Sequence, residues 1–225
     1  MKARTEAGRL RRALYRRPAD ADAVPLRRLD RWQAETMREE LADLYVESSS
    51  VAPGQGYRSR EEFLHRLADD VRRPGFDMLI AQGASLAGCV FGFPVGRDGS
   101  WWRGFEGALP VNREQLTASG HVFAVSEIMI HPDERDQGLG RRLQEGMLAD
   151  QDSSLGATML DRADDAARAA FLSWGWLEVG EVLTETPPSG LRVLVMQIGE
   201  RTAESPDGLA HDGRTQRPEG SAGPQ

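Results

Sequence analysis

Cysteine occurs once in this 225-residue chain, as Cys89, and lysine once, as Lys2. A single cysteine excludes an internal disulfide and any zinc site built from cysteines, and no other metal site is expected. It fits a reducing compartment, so the expected localisation is cytoplasmic. Long apolar runs are missing as well. No stretch approaches the ~18 residues that cross a bilayer, so no membrane partner is expected. The first 22 residues carry seven basic side chains but lack the apolar segment of a secretory signal. Positive charge is not in excess. Lys and Arg total 28 against 35 Asp and Glu, for a formal net charge of −7. That balance argues against nucleic acid as a partner. The scarcity of lysine among the bases reads as codon bias in a GC-rich genome.

Apolar residues make up 40% of the chain and are unevenly placed. Residues 1–22 have little to bury and read as a disordered basic leader. From 201 to 225 Leu209 is the only large aliphatic residue, so this tail cannot offset its ordering entropy. One domain is expected over 23–200. Within it, 23–29 is a short strand candidate. Asp30 opens a helix, with Gln33 three residues on as capping-box partner. Met37, Leu41, Leu44 and Tyr45 follow at helical spacing. Residues 48–56 read as a loop. Ser59 and Glu62 suggest a second capping box, with Phe63, Leu64, Leu67 and Val71 as the buried stripe, ended at Pro74-Gly75. Residues 76–83 and 85–96 form a hairpin signal. Residues 97–120 read as a long irregular insert containing Trp101, Trp102 and Phe105. Strands over 121–130, 157–161, 176–184 and 191–198 and helices over 138–150 and 165–174 complete the domain. The fold class expected is α/β, a mixed, mostly antiparallel sheet of about seven strands with helices on both faces.

The stretch VFAVSEIMIHPDERDQGLGRRLQEGML (122–148) carries the chemistry. A hydrophobic strand runs into His131-Pro132, where the missing N–H stops the ladder. Arg135-Asp136-Gln137-Gly138-Leu139-Gly140 then leads into a helix whose Leu139, Leu143 and Met147 share one face. The first turn of a helix has free backbone N–H groups and the positive end of the dipole. Two glycines there leave room for an anion, and Arg135 and Arg141 add charge at the rim. The ligand this suits is a diphosphate. No Gly-Lys-Ser/Thr follows, which excludes a P-loop. The third glycine of a dinucleotide fingerprint would fall at Leu143, which disfavours that reading.

The arrangement of strand, proline, R-x-x-G-x-G and amphipathic helix resembles the GCN5-related N-acetyltransferase (GNAT) superfamily. Arg135 to Gly140 matches the acetyl-CoA motif of that family at every fixed position. A second, weaker likeness lies at 157–176, with Asp164 at the family's asparagine and Gly175-Trp176 at its Gly-Phe pair. The resemblance implies a GNAT-like fold from about 23 to 198, with acetyl-CoA as cosubstrate. It implies backbone pairing of the pantetheine arm with Ile128, Met129 and Ile130. Pyrophosphate contacts would fall on Arg135, Gln137, Gly138, Leu139, Gly140 and Arg141, although Arg141 also reads as an ordinary solvated helix residue.

Glu127 lies inside an otherwise apolar strand. Burial of a carboxylate is costly unless it is paired or protonated, and it raises the pKa. Such a group suits a general base for an ammonium acceptor; the bland alternative is a structural carboxylate paired with an arginine. Strict alternation puts Glu127 on one face with Val125 and Met129, unless a bulge intervenes. Asp161 ends the next strand and is a candidate to orient substrate or relay a proton, while Asp164 and Asp165 suit helix capping. Trp101 and Trp102 are candidates to wall the acceptor site; plugging the sheet edge is the alternative.

One departure stands out. The family's tyrosine, four residues before the Gly-Phe pair, is Phe171 here, and Tyr15, Tyr45 and Tyr57 all lie upstream. Water or Ser173 is the candidate replacement as acid for the departing thiolate. The expected function is acetyl transfer from acetyl-CoA to a small-molecule or peptide amine, by direct attack. The alternative, favoured by Phe171, is an acyl-CoA-binding regulatory module with little turnover. The resemblance leaves a homodimer open.

Overall fold

The computed structural model describes residues 24–49, 56–109, 112–135, 137–184 and 189–198. The expected leader, the tail and most of the 48–56 loop lie outside them. Among the described residues eight strands form one sheet: β1 (Leu26–Leu29), β2 (Asp77–Gln82), β3 (Leu86–Pro94), β4 (Phe105–Gly107), β5 (Val122–Ile130), β6 (Leu155–Asp161), β7 (Leu177–Thr184) and β8 (Ser189–Gln197). The spatial order is β1-β2-β3-β5-β6-β8-β7-β4. Every pairing is antiparallel except β5 with β6. This is the expected mixed sheet, with β4 as the additional strand.

Six helices among the same residues cover it: α1 (Arg31–Thr36), α2 (Arg38–Ser48), α3 (Gly56–Asp70), α4 (Arg113–Ser119), α5 (Leu139–Ala149) and α6 (Asp165–Ser173). The capping box at Asp30 and Gln33 is present in both directions. The single helix expected after Asp30 is broken at Met37, which sits between α1 and α2. The third helix begins at Gly56, so Ser59 lies inside it and is not its cap. The insert is not irregular throughout. Asn112 caps α4 by accepting the Gln115 N–H, and Gly120 closes it in the left-handed conformation.

Three apolar clusters divide the interior. α2 and α3 pack Leu41, Leu44, Phe63, Leu67 and Val71 against Met78, Cys89, Phe91 and Met129. On the opposite face α5 and α6 pack Leu139, Leu143, Met147 and Phe171 against Val90, Phe123 and Val125. The third cluster joins Val122 and Ala124 to Trp102, Val182 and Val193 beneath the β8–β7 half of the sheet. α5 is also tied by polar bonds. Arg28 donates to the Gly146 carbonyl and Arg142 to the Val24 carbonyl. The buried Trp176 indole donates to Gln144 at 2.7 Å.

Candidate functional site

The sheet opens between its two central strands. β5 pairs with β3 from Phe123 to Ile130. On its other side it pairs with β6 only from Val122 to Val125. At the last paired position Thr158 Oγ1 also donates to the Val125 carbonyl at 2.9 Å, deep in the interior. From Ser126 onward β5 has no backbone partner on the β6 side among the described residues, and β6 turns to β8 alone. Pro132 and a short 3-10 turn carry the chain from the tip of β5 to the start of α5.

The register of β5 against β3 slips at this same place. Phe91 faces Glu127 and Gly92 faces Val125, leaving Ser126 as the extra residue of a bulge. Gly92 is required there, because a Cβ would lie 2.1 Å from the Ala124 carbonyl oxygen. The slip changes which face each side chain takes. Val125 packs with α5 and α6, whereas Met129 packs with α2 and α3. The strict alternation expected for Val125, Glu127 and Met129 is therefore corrected: Glu127 goes with Met129, toward α3. Ile128 and Ile130 pack on the α5 side.

Backbone direction follows from the ladder. The His131 N–H bonds the Ala87 carbonyl on β3. Alternate residues point the same way, so the Met129 N–H also faces β3. The amides of Ile128 and Ile130 face the open side. Of the three residues expected to offer backbone, these two do so.

At the far end of the opening, Gly138 caps α5 at φ +72° with no side-chain cap bond. The Leu139, Gly140 and Arg141 N–H groups are the helix's first-turn donors, without intrahelical acceptors. The two glycines differ in purpose. A Cβ at Gly138 meets nothing within 4 Å, so its left-handed backbone is what asks for glycine. A Cβ at Gly140 would lie 2.8 Å from the Trp174 ring, so this glycine is there for packing. The expectation that both clear space for an anion is corrected on that point. Leu139 is buried, leaving only its backbone to a ligand. The arginines are already engaged. Arg135 donates to the Ser48 carbonyl at 2.7 Å, fastening this turn to the end of α2. Arg141 pairs with Glu145 at 2.8 Å on the solvated face of α5. Gln137 donates to the Asp133 carbonyl.

Glu127 is the central carboxylate. Its side chain keeps 24% of its surface open and lies 3.5 Å from Arg66 of α3. Burial pushes its pKa up to about 7. Arg66 opposes that rise, and the carboxylates of Asp70 and Asp164 reinforce it. Beside it, Ser126 Oγ donates to Asp70 Oδ2 at 2.6 Å. Asp70, largely buried, also accepts from Arg73 Nε at 3.1 Å. Arg73 in turn lies over the Phe93 ring, and Arg66 over the Tyr45 ring. Ser126, Asp70, Arg66 and Thr158 were not singled out from the sequence. A signal existed for two of them. Asp70 falls on the Phe63–Leu67 stripe of its helix, and two adjacent polar residues, Ser126 and Glu127, break an apolar strand.

Other expected residues sit elsewhere. Asp161 Oδ1 accepts the Ala163 N–H at 2.8 Å, so its carboxylate shapes the turn into α6 and is not joined to Glu127. Asp164 caps α6 through the Ala167 N–H, as expected. Trp102 is 6% exposed and donates its indole N–H to Thr117. It stacks edge-on with Trp101 and Phe105. Trp102 belongs to the core of the β8–β7 half, with Trp101 packed against it, and it lines a cavity with Arg97, Arg113 and Thr117. Phe171 is buried against Trp174 and Trp176. Ser173 bonds back to the Ala170 carbonyl within its own helix. No group of His, Cys, Asp and Glu able to hold a metal occurs among the described residues. No described helix is long and apolar enough to cross a membrane.

No protein-family model matches this sequence, and no curated protein matches it. The fold does have solved counterparts. A proposed acetyltransferase of the GNAT family from Desulfovibrio desulfuricans superposes with a TM-score of 0.54 at 14% identity, covering 79% of this chain and 100% of that one. An aminoglycoside 6'-acetyltransferase type Ii superposes with a TM-score of 0.54 at 12% identity, covering 79% of this chain and 99% of that one. An aminoglycoside 6'-N-acetyltransferase complexed with coenzyme A gives a TM-score of 0.52 at 11% identity, covering 79% and 98%. This chain has the GNAT fold, as the motif from Arg135 to Gly140 implies.

Proposed function

We propose that this protein is an N-acetyltransferase that moves the acetyl group of acetyl-CoA to an amine. The observation that carries the reading is the opening between β5 and β6. It exposes backbone amides of one strand and leads to the free first-turn N–H groups of α5, on a GNAT fold. An extended arm fits the first feature and a pyrophosphate the second. The complex of a similarly folded protein with coenzyme A supports the same ligand.

In this reading Ile128 and Ile130 pair with the pantetheine arm. The N–H groups of Leu139, Gly140 and Arg141 receive the pyrophosphate. Glu127, held near neutrality by burial, takes a proton from the acceptor ammonium, directly or through water. The neutral amine attacks the thioester carbonyl. An N–C bond forms, the C–S bond breaks, and CoA leaves as thiolate, which takes the second nitrogen proton through water. An open-side amide, Ile128 or Ile130, steadies the developing oxyanion. The thiolate needs little help, since a thiol titrates near ~8.5. The acceptor is a small-molecule or peptide amine, and a cytoplasmic setting agrees with the single buried cysteine.

A second reading, an acyl-CoA-binding module without useful turnover, is favoured by one observation: Phe171, at the position of the family's tyrosine, carries no hydroxyl and is buried against Trp174 and Trp176. Calorimetric titration with acetyl-CoA, and with free CoA as control, tests the shared part. Micromolar binding supports both readings, and absence of binding overturns both. Release of CoA thiol with a panel of amines, lost in Glu127→Gln, separates transfer from binding alone.

A further inference from the structure

The bulge on β5 places two polar side chains, Ser126 and Glu127, in succession toward α3. Ser126 is exposed at the opening, where β5 has no β6 partner. Its hydroxyl proton is committed to Asp70 Oδ2 at 2.6 Å. Asp70 is itself held by Arg73 of the same helix end, so the pair is fixed in direction. A serine whose proton is engaged in this way presents lone pairs to the opening, and those accept N–H groups.

We propose that Ser126 is an acceptor-binding residue that receives one N–H of the attacking amine, that Asp70 is its positioning residue, and that the pair with Glu127 makes the site specific for primary over secondary amines. This rests on the acetyl-transfer reading. A neutral primary amine has two N–H groups and one lone pair. Glu127, or a water it holds, takes the first N–H and Ser126 the second. The lone pair is left for the thioester carbon. A secondary amine has one N–H and must leave one of the two acceptors unmet. An alcohol has no second proton to offer at all. The proton removed on attack passes through the Glu127 water to the departing thiolate, and the N–H bound to Ser126 is retained in the amide product.

The test uses the full chain with phenethylamine, 1,4-diaminobutane and a tripeptide, each beside its N-methyl counterpart. Ser126→Ala is expected to raise KM for the primary amine and lower kcat/KM about tenfold, the worth of one neutral hydrogen bond. The ratio of primary to N-methyl turnover should fall by the same factor, while acetyl-CoA affinity stays unchanged. Ser126→Thr, which keeps the hydroxyl, should restore most of the preference. Asp70→Asn supplies a second measurement. The groups facing Glu127 are Arg66 and Asp70 from α3, Asp164 from the turn before α6 and Cys89 across β3. Asp70→Asn should lower the primary to N-methyl ratio as Ser126→Ala does and, by removing a carboxylate beside Glu127, also move the acidic limb of the kcat/KM profile to lower pH. An unchanged amine preference in Ser126→Ala overturns this inference and leaves acetyl transfer standing. Failure of the unmodified protein to acetylate any amine of the panel overturns both.

Discussion

The two ends of β5 teach opposite lessons from one strand. Phe123 to Val125 are paired on both sides, buried on both faces and apolar. Ser126 to Ile130 are paired on one side only and include the polar residues. The first end behaves as core and the second as a site. The boundary is set within two residues by the Ser126 bulge, the Gly92 contact and the Thr158 bond. Substitutions at the closed end should therefore change stability and spare chemistry, and those at the open end should do the reverse.

The largest effect expected is on the open side. Glu127→Gln should lower kcat by ~10²–10⁴, the usual worth of a positioned base. Calorimetry should find the same acetyl-CoA affinity in both proteins. On the closed side, Trp102→Ala removes a buried indole and leaves Thr117 without its donor. It should cost ~3–5 kcal/mol in denaturant unfolding, with kcat per folded molecule unchanged. Gly92→Ala strikes the boundary itself. Forcing a Cβ against the Ala124 carbonyl should cost ~1–3 kcal/mol and, unlike Trp102→Ala, also lower activity by shifting the bulge.

The pH dependence sharpens the same contrast. Glu127 must be ionised to act as base, so kcat/KM should rise as pH passes about 7. Stability should run the other way. Its pKa is raised from 4.5 in the folded chain, so the folded state holds the proton more tightly than the unfolded state does. That contribution is complete below 4.5 and is lost as pH rises through about 7. Melting temperatures of Glu127→Gln should lack this slope. The smallest effect expected is at Arg141→Ala. Loss of an exposed helix pair should cost no more than ~0.5 kcal/mol, and a small change in acetyl-CoA affinity would confirm that only the backbone matters there.

Much of the fold was legible in the residues. Asp30 with Gln33, the Phe63–Val71 stripe and the 76–96 hairpin are local patterns, and local patterns survive folding. The R-x-x-G-x-G turn was legible because glycine marks both a left-handed backbone and a tight contact, although the sequence does not tell which glycine does which. Side-chain ownership was not legible. Arg135 is spent on Ser48 and Trp102 on Thr117, partners fixed only by tertiary contact. The bulge escaped for a related reason: one extra residue leaves composition and hydrophobicity unchanged and alters only the phase of the strand beyond it. β4 and α4 were hidden in a segment whose apolar residues are aromatic and clustered, without a helical or alternating period.

Thr158 has a consequence beyond the bond it makes. The last paired position of β5 and β6, Val125 with Thr158, carries a side-chain bond beside its backbone pairing. The place where the sheet parts is thus encoded in a side chain, which a single codon can change. Depth of the opening is in that sense a length that substitution at one position can alter.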